Sequence, residues 1–289
     1  REVHHDGLLL LLLLLLLHVG AIVNPVAAAA EGLTQGLLRL AAPQPHHGQR
    51  KRPLERPHRC GRADGARRRR RSGTQRAHRH SRHDGRIDPL LLQQALRQAL
   101  AEQNVELNAT AVVNLERNDN HWRVHHADGS SSVHDLVVLC TALSSDVLLE
   151  PLCQARPMTP VLGQALSLQL TTGPTAWSNW PSVLVDQGFN LIPTAPRRLL
   201  LGATVEPGDR ASEEPLTLMR HLNERAPDWL RSAAVVGHWS GLRARPVDRP
   251  APLLEELEPG LILASGHYRN GVLLTPGTAE WVAASVQQA

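Results

Sequence analysis

The chain has 289 residues, with 31 Lys and Arg against 27 Asp and Glu and a formal net charge of +4. That balance hides a break: up to Asp84 there are 16 Lys and Arg against 6 Asp and Glu, a net of +10, whereas from Gly85 onward 15 face 21, a net of −6. The overall charge describes neither part, which excludes reading the molecule as one basic, polyanion-binding surface, and it leaves 205 residues able to pack a core.

The first 84 residues are unlike the rest. Leu8–Leu17 is an unbroken leucine run, Ala27–Ala30 is poly-alanine, and Arg and His dominate from His46 to His83. That last stretch has too little apolar surface to repay its ordering entropy and is expected to be disordered. The leucine run is shorter than the roughly 20 residues that a bilayer requires, so no membrane span is expected. With the small residues that follow it, the run has an alternative reading as a secretory signal, which would make the protein exported rather than cytoplasmic. The glycines here, Gly20, Gly32 and Gly36, do not form a Gly-x-Gly-x-x-Gly turn after a strand.

From Asp88 the pattern becomes regular. Asp88-Pro89 is a cap followed by the proline that suits a first helical position, and Leu92, Leu96, Ala99 and Leu100 recur at helical spacing through Gln103. Strands are expected at Val105–Leu107, Ala111–Glu116 and Trp122–His126, then an Asp128-Gly129 turn and a return strand. Asp135–Cys140 reads as a buried parallel strand. Further on, strands are expected at Leu162–Leu170, Phe189–Pro193, Leu199–Val205 and Val235–Leu242, with a helix Glu213–Arg225 capped by Ser212. Together they compose an antiparallel sheet. The proline- and charge-rich stretch Val247–Pro259 reads as a surface connection before a last strand, Leu261–Ala264.

After that strand comes Gly266-His267-Tyr268-Arg269-Asn270-Gly271, then Val272-Leu273-Leu274 and an apolar helical run. Two glycines allow close backbone approach to a ligand, and Arg269 supplies a planar cation. Thr275 is suited to cap the following helix and Pro276 to occupy its first position, so free N–H groups and a positive dipole end would face an anion.

The order of residues in Ala264–Thr278 resembles the C-terminal flavin-contacting segment of the D-amino-acid oxidase family, on the side of the glycine oxidases. Gly202-Ala203-Thr204-Val205-Glu206 and Trp239-Ser240-Gly241-Leu242-Arg243 stand upstream in the family's order. The resemblance covers about residues 85–289. It implies an α/β (α+β) fold, in which a partial FAD-binding, Rossmann-like domain joins an antiparallel-sheet substrate domain. Residues 85–158 would be a remnant of the FAD-binding domain, 159–247 the substrate domain and 248–289 the return to the first. The family's Gly-x-Gly-x-x-Gly fingerprint is missing, which suggests that residues 1–84 are a wrong-frame or otherwise corrupted segment.

The resemblance also implies the chemistry. FAD would be the cofactor, with Val112 offering its backbone to the adenine end and Ala142 close to the flavin where the family usually has Gly. Gly266, His267, Tyr268, Arg269, Asn270, Gly271, Val272 and Leu273 would form the flavin-contacting turn. Arg243 would bind the substrate carboxylate, with Arg269 nearby, whereas Arg245 reads as structural. The substrate would be a small amino acid or amine, and molecular oxygen or another electron acceptor would take the electrons. A non-catalytic domain with a basic nucleic-acid-binding tail at Arg67–Arg71 is the alternative; that tail has no interleaved aromatics, and nucleic acid is not the expected partner. The three cysteines, Cys60, Cys140 and Cys153, have neither metal-ligand nor disulfide-framework spacing, and no Gly-x-Ser-x-Gly elbow points to hydrolysis.

Overall fold

The computed structural model describes residues 86–172, 180 and 182–288, and the readings of residues 1–84 lie outside them. Helix α1 (Pro89–Glu102) starts as its sequence dictates: the Asp88 carboxylate accepts from the amides of Leu90 and Leu91 at 2.9 and 3.2 Å, with proline at the first position. Its inner face buries Leu96 and Leu100. The segment 105–107 forms no strand. Leu107 is exposed, and the short Val-Glu-Leu run has no neighbouring strand to pair with among the described residues.

Strands β1 (Val112–Asn118), β2 (His121–His126) and β3 (Ser131–His134) form an antiparallel ribbon. Its alternation leaves one apolar side: Leu115, Trp122 and Val124 are buried between exposed or half-buried neighbours. The Asp128-Gly129 turn closes β2 onto β3, with Gly129 at φ +84° and the Asp128 carboxylate held by Ser130.

Strand β4 (Val137–Leu139) is parallel to β12 (Leu261–Ser265), pairing Val137 with Leu261 and Leu139 with Leu263. On the other side of β12 lies β11 (Leu253–Glu258), antiparallel to it. This corrects the expectation that Val247–Pro259 is only a connection, because Leu253 and Leu257 pack into the core formed with Trp122, Leu261 and Leu263. Composition there is dominated by the charged residues of the outer face. After β4 come a short turn, Ala142–Ser144, and helix α2 (Ser145–Leu149).

The remaining sheet is six-stranded. Its order is β10 (Ala234–Pro246), β5 (Met158–Gln169), β8 (Arg198–Gly202), β7 (Phe189–Ala195) and β6 (Leu184–Asp186), with β9 (Glu206–Pro207) pairing β5 beyond the end of β8. Every pairing in it is antiparallel. Strand β8 stops at Gly202, short of the expected Val205, and the chain re-enters the sheet only at Glu206. Leu166, Leu168, Leu191, Leu199 and Leu201 bury one face against Met219, Leu222 and Leu230, each fully buried leucine contributing about 2 kcal/mol.

The covering helix α3 (Glu213–Arg220) is shorter than expected. Leu222, Asn223 and Glu224 take left-handed φ values of 47°, 51° and 65°, which end it before Arg225, and Ser212 precedes it without a side-chain cap bond. A short helix α4 (Asp228–Arg231) follows. The last helix, α5 (Gly271–Gln288), packs Ala279, Val282 and Ala283 on the β4–β12 layer. The fold is thus of the mixed α/β class, and the described residues belong to one compact unit.

Arg220 closes the end of the large sheet. Its guanidinium donates to the carbonyls of Leu230 at 2.6 Å, Arg231 at 3.2 Å and Ala233 at 2.6 Å, holding α4 against α3. Arg220→Met keeps the aliphatic stem but removes this donor from all three carbonyls, of which that of Leu230 still accepts the Ala233 amide at 3.2 Å, and should destabilise the fold by about 2 kcal/mol, read as a lower urea midpoint.

Candidate active site

The turn that joins β12 to α5 and the far end of β10 enclose a cavity of about 60 Å³. It is lined by Cys140 and Ala142 after β4, Leu242, Arg243 and Ala244 on β10, and Ser265, Gly266, His267, Tyr268 and Gly271 on the turn. The volume is several times what one buried water needs and suits a small polar group rather than a fused aromatic ring.

Local backbone geometry explains this convergence. Gly266 takes φ +67°, and a Cβ there would lie 2.9 Å from Cγ of Pro246, so the turn seats directly on the end of β10. Tyr268 is also left-handed, at φ 53°. Gly271 is different: it is the first residue of α5 and has no crowded neighbour, so no close approach demands glycine there. The helix starts at Gly271 rather than at Pro276. Thr275 lies within it, its hydroxyl donating to the carbonyl of Gly271 at 2.5 Å, and Pro276 is interior. The free N–H groups of the first turn therefore follow the Gly266 turn immediately.

Ala142 has φ 46°, is buried, and donates its amide to the Ser265 hydroxyl at 2.9 Å. This left-handed conformation favours glycine, since an L-residue is strained there by about 1–2 kcal/mol. His267 is buried against α5, 2.9 Å from the Thr278 hydroxyl, and burial pushes its pKa down from 6.5 to about 4.

Arg243 is half-buried. Its Nη1 donates to the carbonyl of Thr204 at 3.4 Å, and its guanidinium lies over Gly163, where an added Cβ would come within 2.1 Å of both terminal nitrogens. Burial and the charge of Arg269 lower its pKa, while Tyr268 and Glu206 act the other way; the group stays cationic. Of the residues expected at the site, Arg243, Ala142, Gly266, His267, Tyr268 and Gly271 meet at the cavity. Arg269 and Asn270 are exposed beside it, Arg269 close enough to act on Arg243 electrostatically. Val272 and Leu273 face outward on the first turn of α5, Leu273 with 79% of its surface exposed. Val112 opens β1 and does not line the cavity. Arg245 is exposed.

Sequence reasoning did not single out Cys140, Leu242, Ala244 and Ser265 as lining residues, nor Gly163 and Gln164 beneath Arg243. Ser265 adjoins the turn motif and was within reach. Gly163 carries no local signal, because its role exists only across two paired strands.

A flavin ring suits this surface at one edge. Val272 and Leu273 offer water-exposed apolar side chains of the kind a flat ring covers, beside helix N–H donors and two guanidinium groups.

The family model of the FAD-dependent oxidoreductases that includes D-amino-acid oxidase matches residues 25–285, and the chain belongs to this family. Its cofactor is FAD. The match begins at residue 25, upstream of residue 85, where the resemblance read from the sequence was expected to begin. Among relatives, glycine oxidase of Geobacillus kaustophilus is 30% identical over 210 residues, 71% of this chain and 54% of the relative. Glycine oxidase of Pseudomonas putida is 32% identical over 165 residues, 54% and 42% of the two chains. The crystal structure of the Geobacillus kaustophilus enzyme superposes with a TM-score of 0.59 at 27% identity, covering 68% of this chain and 53% of that one. Iminodiacetate oxidase from Chelativorans sp. BNC1, at 21% identity and a TM-score of 0.62, shares the fold. The chain spans about half the length of the relatives it matches. No helix of the described residues is long and apolar enough to cross a membrane.

Two consequences can be measured. Ala142→Gly removes the left-handed strain and should raise stability by about 1 kcal/mol after the added freedom of the unfolded chain is deducted, visible as a higher Tm. His267 is kept neutral by burial, so the unfolded chain takes up a proton below about pH 6.5 that the folded protein accepts only near 4. Its contribution to stability is therefore level above pH 6.5 and declines as pH falls from there toward 4. His267→Gln, which can still bond Thr278, should flatten that part of the stability–pH curve measured by urea unfolding.

Proposed function

We propose that this chain carries the substrate side and the flavin-ring edge of an FAD-dependent oxidase acting on a small amino acid or amine, in the manner of a glycine oxidase. The observation that carries this reading is Arg243: a half-buried guanidinium at the wall of a cavity of about 60 Å³, held by the Thr204 carbonyl and, among the described residues, in contact with no carboxylate. A planar cation in that setting takes a carboxylate through two parallel hydrogen bonds, which the partly desolvated surroundings strengthen.

Arg243 would bind the carboxylate and thereby fix the orientation of the substrate's α-carbon. Arg269 adds positive potential at the mouth and draws anions to the site. The wall of Leu242, Ala244 and Gly266 leaves room for a hydrogen or a very short side chain, which favours a small substrate. Flavin, when bound, supplies a hydride acceptor that an oxidant such as molecular oxygen regenerates. No protein acid or base is required beyond this, because the amine needs only to be neutral, and His267, itself neutral and turned toward Thr278, has no such part. The likeness to glycine oxidases supports the substrate class. A cytoplasmic location and the assignment of 85–158, 159–247 and 248–289 to flavin domain, substrate domain and return belong to the same proposal.

Acetate titrated into the full chain tests this directly. Wild type should give saturable binding by calorimetry, and Arg243→Ala should weaken it at least about tenfold, the loss of a charge-assisted pair of roughly 1.5–3 kcal/mol. Equal affinity in the two proteins would remove Arg243 from the site and the amino-acid reading with it.

A further inference from the structure

Behind Arg243, on the other face of β5, lies a buried polar network that binding a carboxylate does not by itself require. Arg243 stands opposite Val161 and Glu206 opposite Leu162, and consecutive residues of β5 present opposite faces. Glu206, Gln164 and Thr204 are 4%, 2% and 2% exposed. Both oxygens of Glu206 are engaged. Oε1 accepts from the Thr204 hydroxyl and from Nε2 of Gln164 at 2.9 Å, and Oε2 accepts from the Ser212 amide at 2.8 Å.

Gln164 in turn donates to the Ser212 carbonyl at 2.7 Å and accepts at Oε1 from Nε2 of His238 at 2.9 Å. Burial works against ionisation of Glu206, yet the bonds from Thr204, Gln164 and the Ser212 amide, with the Arg243 charge, hold its carboxyl below the usual range. Among the described residues no cation is in contact with this carboxylate. The charge of Arg243 acts on it from the opposite face of the sheet.

Thr204 connects the two faces. Its hydroxyl donates to Glu206 and accepts the amide of Gln164 at 2.7 Å, its own amide donates to the Gln164 carbonyl at 3.0 Å, and its carbonyl accepts from Arg243. All its polar groups are therefore committed, and the carbonyl direction is set. Gly163, next to Gln164, supplies the flat floor on which the guanidinium rests.

We propose that Glu206, acting through Thr204, together with the bare backbone of Gly163, positions the Arg243 guanidinium for capture of a small carboxylate. Glu206 is thus a positioning residue that never touches the ligand. Its negative charge is kept on the reverse face, near enough to favour the guanidinium electrostatically and too far to form an ion pair that would compete with the incoming carboxylate. This rests on the carboxylate-binding reading of Arg243.

The test uses the full chain labelled with 15N and 13C at arginine, with Arg243→Ala to assign the Arg243 side-chain resonances. In wild type, slow rotation should give separate terminal-nitrogen signals for Arg243. Glu206→Gln, Thr204→Val and Gly163→Ala should each average them, while the thermal transition remains cooperative. Should one variant fail to fold, the other two report on the same link. The same variants should bind acetate about fivefold to tenfold more weakly, the effect of one misaligned hydrogen bond. A Glu206 that only anchors the turn at Ser212 would leave both the Arg243 signals and acetate affinity at wild-type values in Glu206→Gln, which would overturn the proposal. Acetate binding that survives Arg243→Ala would refute the carboxylate reading instead, and the guanidinium signals would still decide whether Glu206 positions Arg243.

Discussion

The site depends on one piece of strand pairing, the antiparallel ladder from Ala234 opposite Gln169 to Pro246 opposite Met158. This register places Arg243 opposite Val161, so that its side chain crosses to Gly163, and it brings Pro246 to the point where Gly266 turns. A slip of one residue would send Arg243 to the other face of the sheet, among the partners of Glu206, and expose the apolar residues that now pack. The central strand of the pair is buried on both faces from Val161 to Leu166, which makes such a slip costly. Register and site are therefore one constraint.

The large sheet divides its work along its length. One end is a leucine core closed by α3 and α4, where apolar burial dominates. The other end is polar: Gln164, Thr204 and Glu206 form a buried network nearly saturated in hydrogen bonds, which the exposed His238 borders through its bond to Gln164. A half-satisfied network would be worse than an apolar one, and here each shared oxygen has a donor. That is the arrangement required where a charged side chain must be held still without being neutralised.

The second sheet supplies the opposite wall. Strands β4 and β12 run parallel and end together, so the Ala142 turn and the Gly266 turn leave the same edge side by side. Ser265 ties them by accepting the Ala142 amide. Left-handed residues gather there, with Ala142 and Tyr268 both non-glycine, and such strain persists only where the surroundings over-determine the backbone. Ligands of parallel sheets bind at the carboxyl ends of the strands, and this edge is that end.

Local rules in the sequence were enough for the elements whose signals are local. Asp88-Pro89 started α1, strands were expected at Ala111–Glu116 and Trp122–His126 where β1 and β2 stand, and Asp128-Gly129 turned the ribbon, because capping, strand preference and turn chemistry act within a few residues. The Gly266–Gly271 turn and Arg243 were legible through family likeness, and the cavity brings six of the expected residues together. What only the tertiary structure decided was everything read across strands. Glu255, Glu256 and Glu258 masked β11 because its apolar partners, on β12, lie beyond the segment itself. Thr275-Pro276 looked like a helix start, yet packing of the turn on Pro246 began the helix at Gly271, where the chain direction was already set. Gly163 carries no signal of function in isolation, and Glu206 stood in the sequence only as the end of a family-like block without a role; each acquires one from the strand that pairs beside it, and pairing is a long-range choice made by burial rather than by local sequence.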